Sequence, residues 1–519
     1  MTEGVDHGLV RRFVDDDPTS NESLLQATKD EASHHTVSIQ LSSSSSDPPK
    51  SAEKPHGKPA PLLWCDGIRG VASQIVFTFH LIYWFIVAEE YANTTWYRTL
   101  RAGNASVEMF LILSGFVLTV RFFERMQIIE RAIAVQDSTT VRNLFVEAYQ
   151  SMASTGLRRI PRLLGPVAIG AVLSIFISWY RSQPVDLFEL AVSVVKTLFI
   201  IFPKFNSTLW TLRVELEGSL FTMAFCMILS KLRYAHRVAL CLVAIPIFHN
   251  QYGDWTGEKS HYFGCFVLGI LMANIITKQK HELEHGPLPT RLEAAPVFPR
   301  TVPSTLGASL ETLGLSLCYL IYHAWHVVHS TWRSVRHCVQ RLPPLLAHVM
   351  TNSANTVVFL FGSWLFIYRP EYASDYGAID TIVHAVFEKE HARMLHRVGA
   401  VLILYTVCWS TWLQRIFQSR VCRYWGRISF LLYVVHWPVV LFVGDFVKPW
   451  VKGLGWLEES AKRFCTVVTY VVATVIAHVT TIYLDEPYVK WLGALEKRLD
   501  MKVPRAAPHQ HPDDLSRCA

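Results

Sequence analysis

The chain has 519 residues, 51% of them hydrophobic and only 18% charged, with a mean hydropathy of +0.24. Soluble proteins carry about 25% charged residues, and the apolar residues here gather in blocks of roughly 20, long enough to cross a bilayer as helices. The net charge of +7 comes with no nucleic-acid signature and is accounted for by arginines clustered between the apolar blocks.

Residues 1–61 differ in composition from the rest. They hold ten acidic and six basic side chains, a run of serines from Ser42 to Ser46, and prolines at 48, 49, 55, 59 and 61. Such a segment cannot bury enough apolar surface to offset its ordering entropy, so it reads as a disordered acidic, Ser/Pro-rich cytosolic tail. No cleavable signal peptide is expected, and the first apolar block has to target the chain itself. The ten cysteines are scattered without a C-x-x-C pair, so no zinc site, other metal site or disulfide framework is expected.

From Leu62 to about residue 490 the chain reads as an all-α, polytopic membrane bundle of about ten transmembrane helices. The expected spans are 67–88, 105–121, 163–180, 210–230, 238–249, 262–277, 350–368, 398–414, 428–446 and 465–484. The apolar block 306–329 is broken by His323, His326 and His329 and is read as interfacial. Positive charge accumulates on the cytoplasmic side. Arg121, Arg125, Arg131, Arg142, Arg158, Arg159 and Arg162 follow the second span, and Arg415, Arg420, Arg423 and Arg427 precede the ninth. These place both termini, including a tail at 491–519, in the cytosol. The sequons at Asn93 and Asn206 then fall on the outer side as candidate glycosylation sites. The endoplasmic reticulum and the plasma membrane both suit such a chain.

The first span carries the main chemical clue. Asp66-Gly67-Ile68-Arg69-Gly70 is followed by His80, eleven residues after Arg69. Eleven residues at 100° each exceed three full turns by only about 20°, so Arg69 and His80 project from one helix face, about 16 Å apart. Asp66 and Ser73 fall on the same side. An ionisable residue at that depth is expensive unless it faces a cavity or a partner, and histidine is the side chain suited to moving protons near neutral pH. A histidine that merely packs against another helix satisfies the spacing equally well.

The segment Asp66 to Gly70 with His80 resembles the opening motif of the membrane-bound acyltransferase family 3. Val107-Glu108-Met109-Phe110-Leu111-Ile112-Leu113-Ser114-Gly115-Phe116 is similar to that family's Val-Asp-Leu-Phe-Phe-Val-Leu-Ser-Gly-Phe, with Glu in place of Asp. Arg158-Arg159-Ile160-Pro161-Arg162 resembles its basic approach to the third span. Leu209-Trp210-Thr211-Leu212-Arg213-Val214-Glu215 resembles Leu-Trp-Ser-Leu-x-x-Glu. Gly426-Arg427-Ile428-Ser429-Phe430 through His436-Trp437-Pro438 is similar to Gly-x-Ile-Ser-Tyr-x-x-Tyr-Leu-x-His-x-Pro, and Asp485-Glu486-Pro487-Tyr488 to the closing Glu-x-Pro-Phe. Six motifs occur in the family's order; residues 280–350 match nothing.

The resemblance implies transfer of an acyl group, acetyl above all, from acyl-CoA as co-substrate to a hydroxyl. It implies His80 as general base or acyl relay, Arg69 as phosphate neutraliser or orienting residue, Asp66 as its partner, and Glu215 as a carboxylate for the histidine or, alternatively, as a structural ion pair with Arg213 or another span. Arg158, Arg159 and Arg162 suit coenzyme A phosphates through their planar forks of donors. Ser114 and His436 complete the set as substrate-binding candidates. Hydroxylated small molecules of secondary metabolism and surface carbohydrates are both expected acceptors, with the tail and sequons favouring the former. A proton or metabolite transporter, and an inactive relative that binds partners, are the competing classes.

Overall fold

The computed structural model describes residues 62–85, 94–134, 138–180, 207–250, 260–286, 343–387 and 391–498, with isolated positions at 186, 188, 192 and 341. The expected tail 1–61, both sequon asparagines and the block 306–329 with its three histidines lie outside the described residues. Among those described, every regular element is helical. In chain order these are α1 (Leu63–Phe85), α2 (Thr95–Leu100), α3 (Gly103–Ala134), α4 (Ser138–Tyr180), α5 (Trp210–Leu229), α6 (Tyr234–Asn250), α7 (Phe263–His285) and α8 (Pro344–Phe366). There follow α9 (Ala378–Val386), α10 (His391–Trp409), α11 (Thr411–Phe417), α12 (Arg420–Phe442), α13 (Lys448–Gly453), α14 (Glu458–Thr480) and α15 (Glu486–Arg498).

Local chemistry sets several of the ends. Ser419 caps α12 by accepting from the Cys422 N–H at 3.4 Å, satisfying a donor that has no partner within the helix. Pro343 and Pro344 open α8, where a missing N–H costs nothing. Gly286 closes α7 at φ +77°, a conformation that L side chains rarely adopt. The turns Val443–Val447 and Thr481–Asp485 are wound as π-helix, and each lies two residues before a proline, Pro449 and Pro487. A proline supplies no N–H and crowds the carbonyl four residues earlier, so the turn before it widens.

Three expectations need correction. The span 398–414 is not one helix: α10 and α11 meet at a bend of 107° because Ser410 is extended (φ −108°, ψ 109°). The carbonyls released there are recovered by the Gln414 amide, which donates to Val407 O at 2.9 Å and Cys408 O at 3.1 Å. The span 163–180 is only the end of the 43-residue α4, whose length of about 64 Å is twice a hydrocarbon core of about 30 Å. The segment expected as tail from 491 continues α15 as far as Arg498.

By length and apolarity, Gly103–Ile133, Arg420–Gly453 and Glu458–Leu495 can each cross a membrane, and the bent α10–α11 pair can be counted as a fourth. On α14, Val467, Val471, Val475 and Val479 repeat every fourth residue and are exposed, an apolar stripe that suits lipid contact. Helix α3 is the hub, packing against α1, α4, α5, α7 and α10, while α12 packs against α1, α4 and α14. One apolar core lies among α3, α5, α6, α7 and α10, and a second among α1, α4, α12 and α14.

Small residues let the central backbones touch. A Cβ on Gly426 would stand 2.2 Å from Asp66 O, and one on Gly70 would stand 2.4 Å from the Gly426 N, so α1 and α12 cross backbone to backbone. The same holds where α3 meets α7, since a Cβ on Gly269 would lie 2.2 Å from Ile112 O. Close approach of this kind is how helices associate where no hydrophobic drive separates lipid from protein. Replacing Gly426 by Ala should cost about 1–3 kcal/mol through overpacking. Gly444→Ala, on the same continuous helix but with nothing within 4 Å of the added Cβ, should be neutral or slightly stabilising. Thermal unfolding of the two purified variants in detergent measures the contrast.

Candidate functional site

Helix α1 positions the first group of expected residues. Asp66 and Arg69 form an ion pair at the mouth of the bundle, and their side chains are 44% and 45% exposed. Ser73 is buried and donates to Gly70 O at 2.7 Å, so it satisfies its own helix. Nearer the far end of α1, His80 is half-buried. Its ring lies against Phe79 (centroids 5.3 Å), His436 (5.1 Å) and Trp437 (5.4 Å). Trp437 in turn meets Trp84 at 6.0 Å. His80 therefore stands in a box of aromatic rings, with a carboxylate hydrogen-bonded to neither of its nitrogens among the described residues.

Glu215 lies elsewhere. It sits in the second turn of α5, and its Oε1 accepts from the Ser114 hydroxyl at 3.1 Å and pairs with the Arg159 guanidinium. Arg159 also donates to Ser114 Oγ at 2.6 Å. One residue each from α3, α4 and α5 thus closes a ring of charge and hydroxyl inside the bundle. The expected Glu215–His80 partnership is overturned: the carboxylate meets the nearer guanidinium, which carries a full charge. The alternative of a structural ion pair is met by Arg159 of α4 rather than by Arg213, which bonds Glu217 one turn along α5 at 2.6 Å.

The arginines of α4 separate by role. Arg159, expected at the coenzyme A phosphates, pairs with Glu215 and donates to Ser114. Arg158 is exposed and donates to Ser154 O at 3.1 Å. Arg162, one turn beyond Arg158, makes no hydrogen bond among the described residues, and both it and Arg69 lie close enough to Arg159 to act on it by charge. Nearby, Tyr488 donates to Pro161 O at 2.6 Å, and Arg427 grips Glu486 through two bonds of 2.5 and 2.9 Å. These two contacts tie α15 to α4 and α12 around a basic mouth.

His436 is buried in α12. Its Nδ1 stands 3.1 Å from Leu432 O. A carbonyl can only accept, so Nδ1 carries the proton and Nε2 the lone pair. Tyr433, one turn earlier on the same face, donates to Thr208 O at 2.7 Å and accepts from Thr211 at 2.8 Å, holding the start of α5 against α12.

A further polar cluster escaped the sequence reading. The guanidinium of Arg397 on α10 is fully buried; it donates to His249 Nδ1 at 2.6 Å and meets Glu108 Oε1 at 3.5 Å. Arg393, one turn earlier, bonds His261 and lies over the Tyr262 ring at 5.6 Å. The signal available was a pair of arginines four residues apart at the head of an apolar block. Among the described residues, no group of three or more His, Cys, Asp or Glu side chains is arranged to hold a metal, and the seven described cysteines are free thiols.

Comparison with known sequences gives the geometry its setting. The profile described as "Acyltransferase domain" of the acyltransferase 3 family matches residues 62–483. An O-acetyltransferase of Phomopsis amygdali is 21% identical over 429 residues, covering 73% of this chain and 72% of its own. An acyltransferase of Phoma sp. (strain ATCC 20986 / MF5453) is 30% identical over 106 residues, 20% of this chain and 22% of that one. An acyltransferase of Cochliobolus lunatus is 25% identical over 163 residues, 28% and 33% of the two chains. This chain therefore covers well under two thirds of the Phoma and Cochliobolus relatives. No solved structure matches.

The ring formed by Arg159, Glu215 and Ser114 should behave as a unit. Arg159→Ala and Glu215→Ala each strand a largely shielded charge and should each cost on the order of 2 kcal/mol. The double variant should lose about 1–2 kcal/mol less than the sum, read from thermal unfolding of the four purified proteins.

Proposed function

This chain belongs to the acyltransferase 3 family, and from that premise we propose that it is a membrane-bound O-acyltransferase moving an acetyl group from acetyl-CoA to the hydroxyl of a small lipophilic molecule. The observation that carries the reading is His80, half-buried among aromatic rings and without a hydrogen bond to any of the described residues, on the same helix as Arg69 at the basic mouth.

In this reading His80 is the general base. It takes the proton of the acceptor hydroxyl as that oxygen attacks the thioester carbonyl. The tetrahedral intermediate collapses, the carbon–sulfur bond breaks, and the thiolate of coenzyme A takes the proton from the imidazolium. A positioned base of this kind contributes about 10²- to 10⁴-fold. The phosphates of coenzyme A sit at the mouth, where Arg162 and Arg69 offer donors, and the long pantetheine arm carries the thioester along α1 toward His80. The acceptor lies on the faces of Trp84, Trp437 and Phe79, whose apolar area favours a ring-containing alcohol. Ten crossings with both termini in the cytosol put the mouth on the side where acetyl-CoA is made. The same topology turns the sequons of Asn93 and Asn206 outward, for glycosylation in the endoplasmic reticulum or at the plasma membrane.

Membranes containing the protein are offered labelled acetyl-CoA with a panel of cyclic alcohols and sugars. His80→Ala should lower transfer at least about 100-fold. Arg162→Ala should raise KM for acetyl-CoA about tenfold with kcat nearly unchanged, the mark of lost ground-state binding. Labelling of sugars in preference to alcohols would replace the acceptor class, and transfer that survives in His80→Ala would remove the base.

A further inference from the structure

His80 as a base needs an acceptor on its far nitrogen, and among the described residues no carboxylate supplies one. Glu215 is held by Arg159 and Ser114, and Asp66 is paired with Arg69 at the mouth. The group that does face His80 is another imidazole. The His436 ring lies 5.1 Å from that of His80, centroid to centroid, with planes 32° apart. It is 1% exposed, and its tautomer is set by the Nδ1–H bond to Leu432 O. That leaves Nε2 as a lone-pair acceptor, and this atom is buried without a hydrogen-bond partner among the described residues. A buried acceptor deprived of a donor is costly and calls for an explanation.

Resting on the reading of His80 as base, we infer that His436 is a positioning residue for it, filling the place that a carboxylate fills in a catalytic triad. In the working geometry one nitrogen of His80 points its N–H at His436 Nε2, so that the other presents its lone pair to the acceptor hydroxyl. When that lone pair takes the proton, His80 becomes imidazolium, and the positive charge is held by the hydrogen bond to His436. The proton then leaves to the coenzyme A thiolate, and both rings return to their starting state. No proton is lost or gained by the pair over the cycle, and His436 changes partner strength rather than composition.

The surroundings suit the arrangement. Phe77 packs edge-on to His436 at 5.8 Å and Tyr433 lies 5.6 Å away, so the ring cannot turn freely. Phe77 is itself stacked on Tyr470 at 5.5 Å, and Tyr470 is anchored by its bond to Gln74 at 3.0 Å. The contact of α1 with α12 at Gly70 and Gly426 fixes the two histidines at one separation. His80, by contrast, is only half-buried and can turn about its side-chain bonds to close the hydrogen bond. A neutral acceptor also fits an apolar box in which an unpaired carboxylate would be expensive. As in a triad, the benefit is a fixed tautomer and a stabilised imidazolium.

The test uses the full-length protein in lipid nanodiscs, following release of coenzyme A thiol from acetyl-CoA with cyclohexanol as acceptor. His436→Phe keeps the ring shape and removes the acceptor; kcat should fall about 100-fold while KM for acetyl-CoA stays within about twofold. His436→Gln restores an acceptor oxygen near the Nε2 position and should recover kcat to within about tenfold of the wild type. In a His80→Ala background, His436→Phe should have no further effect, because the residue acts through His80. Full activity in His436→Phe overturns the inference and leaves the base reading standing. Equal losses in the Phe and Gln variants, or an undiminished loss in the His80→Ala background, also overturn it, since packing alone would then account for the effect. Full activity in His80→Ala, or a wild type that releases no thiol, defeats the parent reading and this one with it.

Discussion

A charge in an apolar interior is tolerated only opposite a partner, and that constraint explains the placement of most of the polar side chains inside this bundle. Helix α3 supplies three of the partners. Glu108 near its start meets Arg397 of α10, Ser114 joins Arg159 and Glu215 of α4 and α5, and Glu130 near its end pairs with the fully buried Arg237 of α6. Each pair crosses from one helix to another, so each both satisfies a charge and fixes a register. The hub position of α3 follows, since a helix tied at three heights to four neighbours has little freedom to slide. The glycines do the complementary work: Gly115 and Gly269 bring α3 and α7 into backbone contact.

The same constraint divides the interior chemically. The ionised groups are consumed in pairing each other, and the mouth keeps arginine in excess around Arg69 and Arg162. His80 and His436 lie apart from these pairs, among Phe77, Phe79, Tyr433 and Trp437. A base in such a place is most useful when neutral at rest, because an uncharged imidazole is ready to take a proton and costs little to bury. Charge then appears only during the reaction, where a neighbouring acceptor can hold it.

The parts legible in the sequence were those with a local signature. Nine of the ten expected spans fall largely on helices, because hydropathy is read over about 20 adjacent residues, while 398–414 breaks at Ser410; His80 was marked by its distance from Arg69 on one helix. What was hidden depended on which distant residues meet. Glu215 was offered to His80 because both occur in motifs, yet its neighbour is Arg159, and nothing in a single chain reports a contact between helices 56 residues apart. Arg397 and His249 went unnoticed because their pairing spans 148 positions. The bend at Ser410 was invisible for another reason: no glycine or proline between Val407 and Gln414 announces a break, and the side chain that restores the lost bonds, Gln414, does so only once the bend exists.

The glycines of Asp66 to Gly70 show how far a motif can be from the chemistry it supports. As letters they suggest a turn or a flexible hinge. In the structure Gly67 and Gly70 sit inside a regular helix, and their missing side chains admit Phe417 O and the backbone at Gly426. That contact sets the spacing of α1 from α12. Since Arg69 and His80 belong to α1, and Arg427 and His436 to α12, one crossing point governs two separations: between the arginines at the mouth and between the imidazoles three turns above. Any side chain that wedged the crossing apart would disturb both separations. The residues of the motif that touch no substrate thus define the distances over which the residues that do must work.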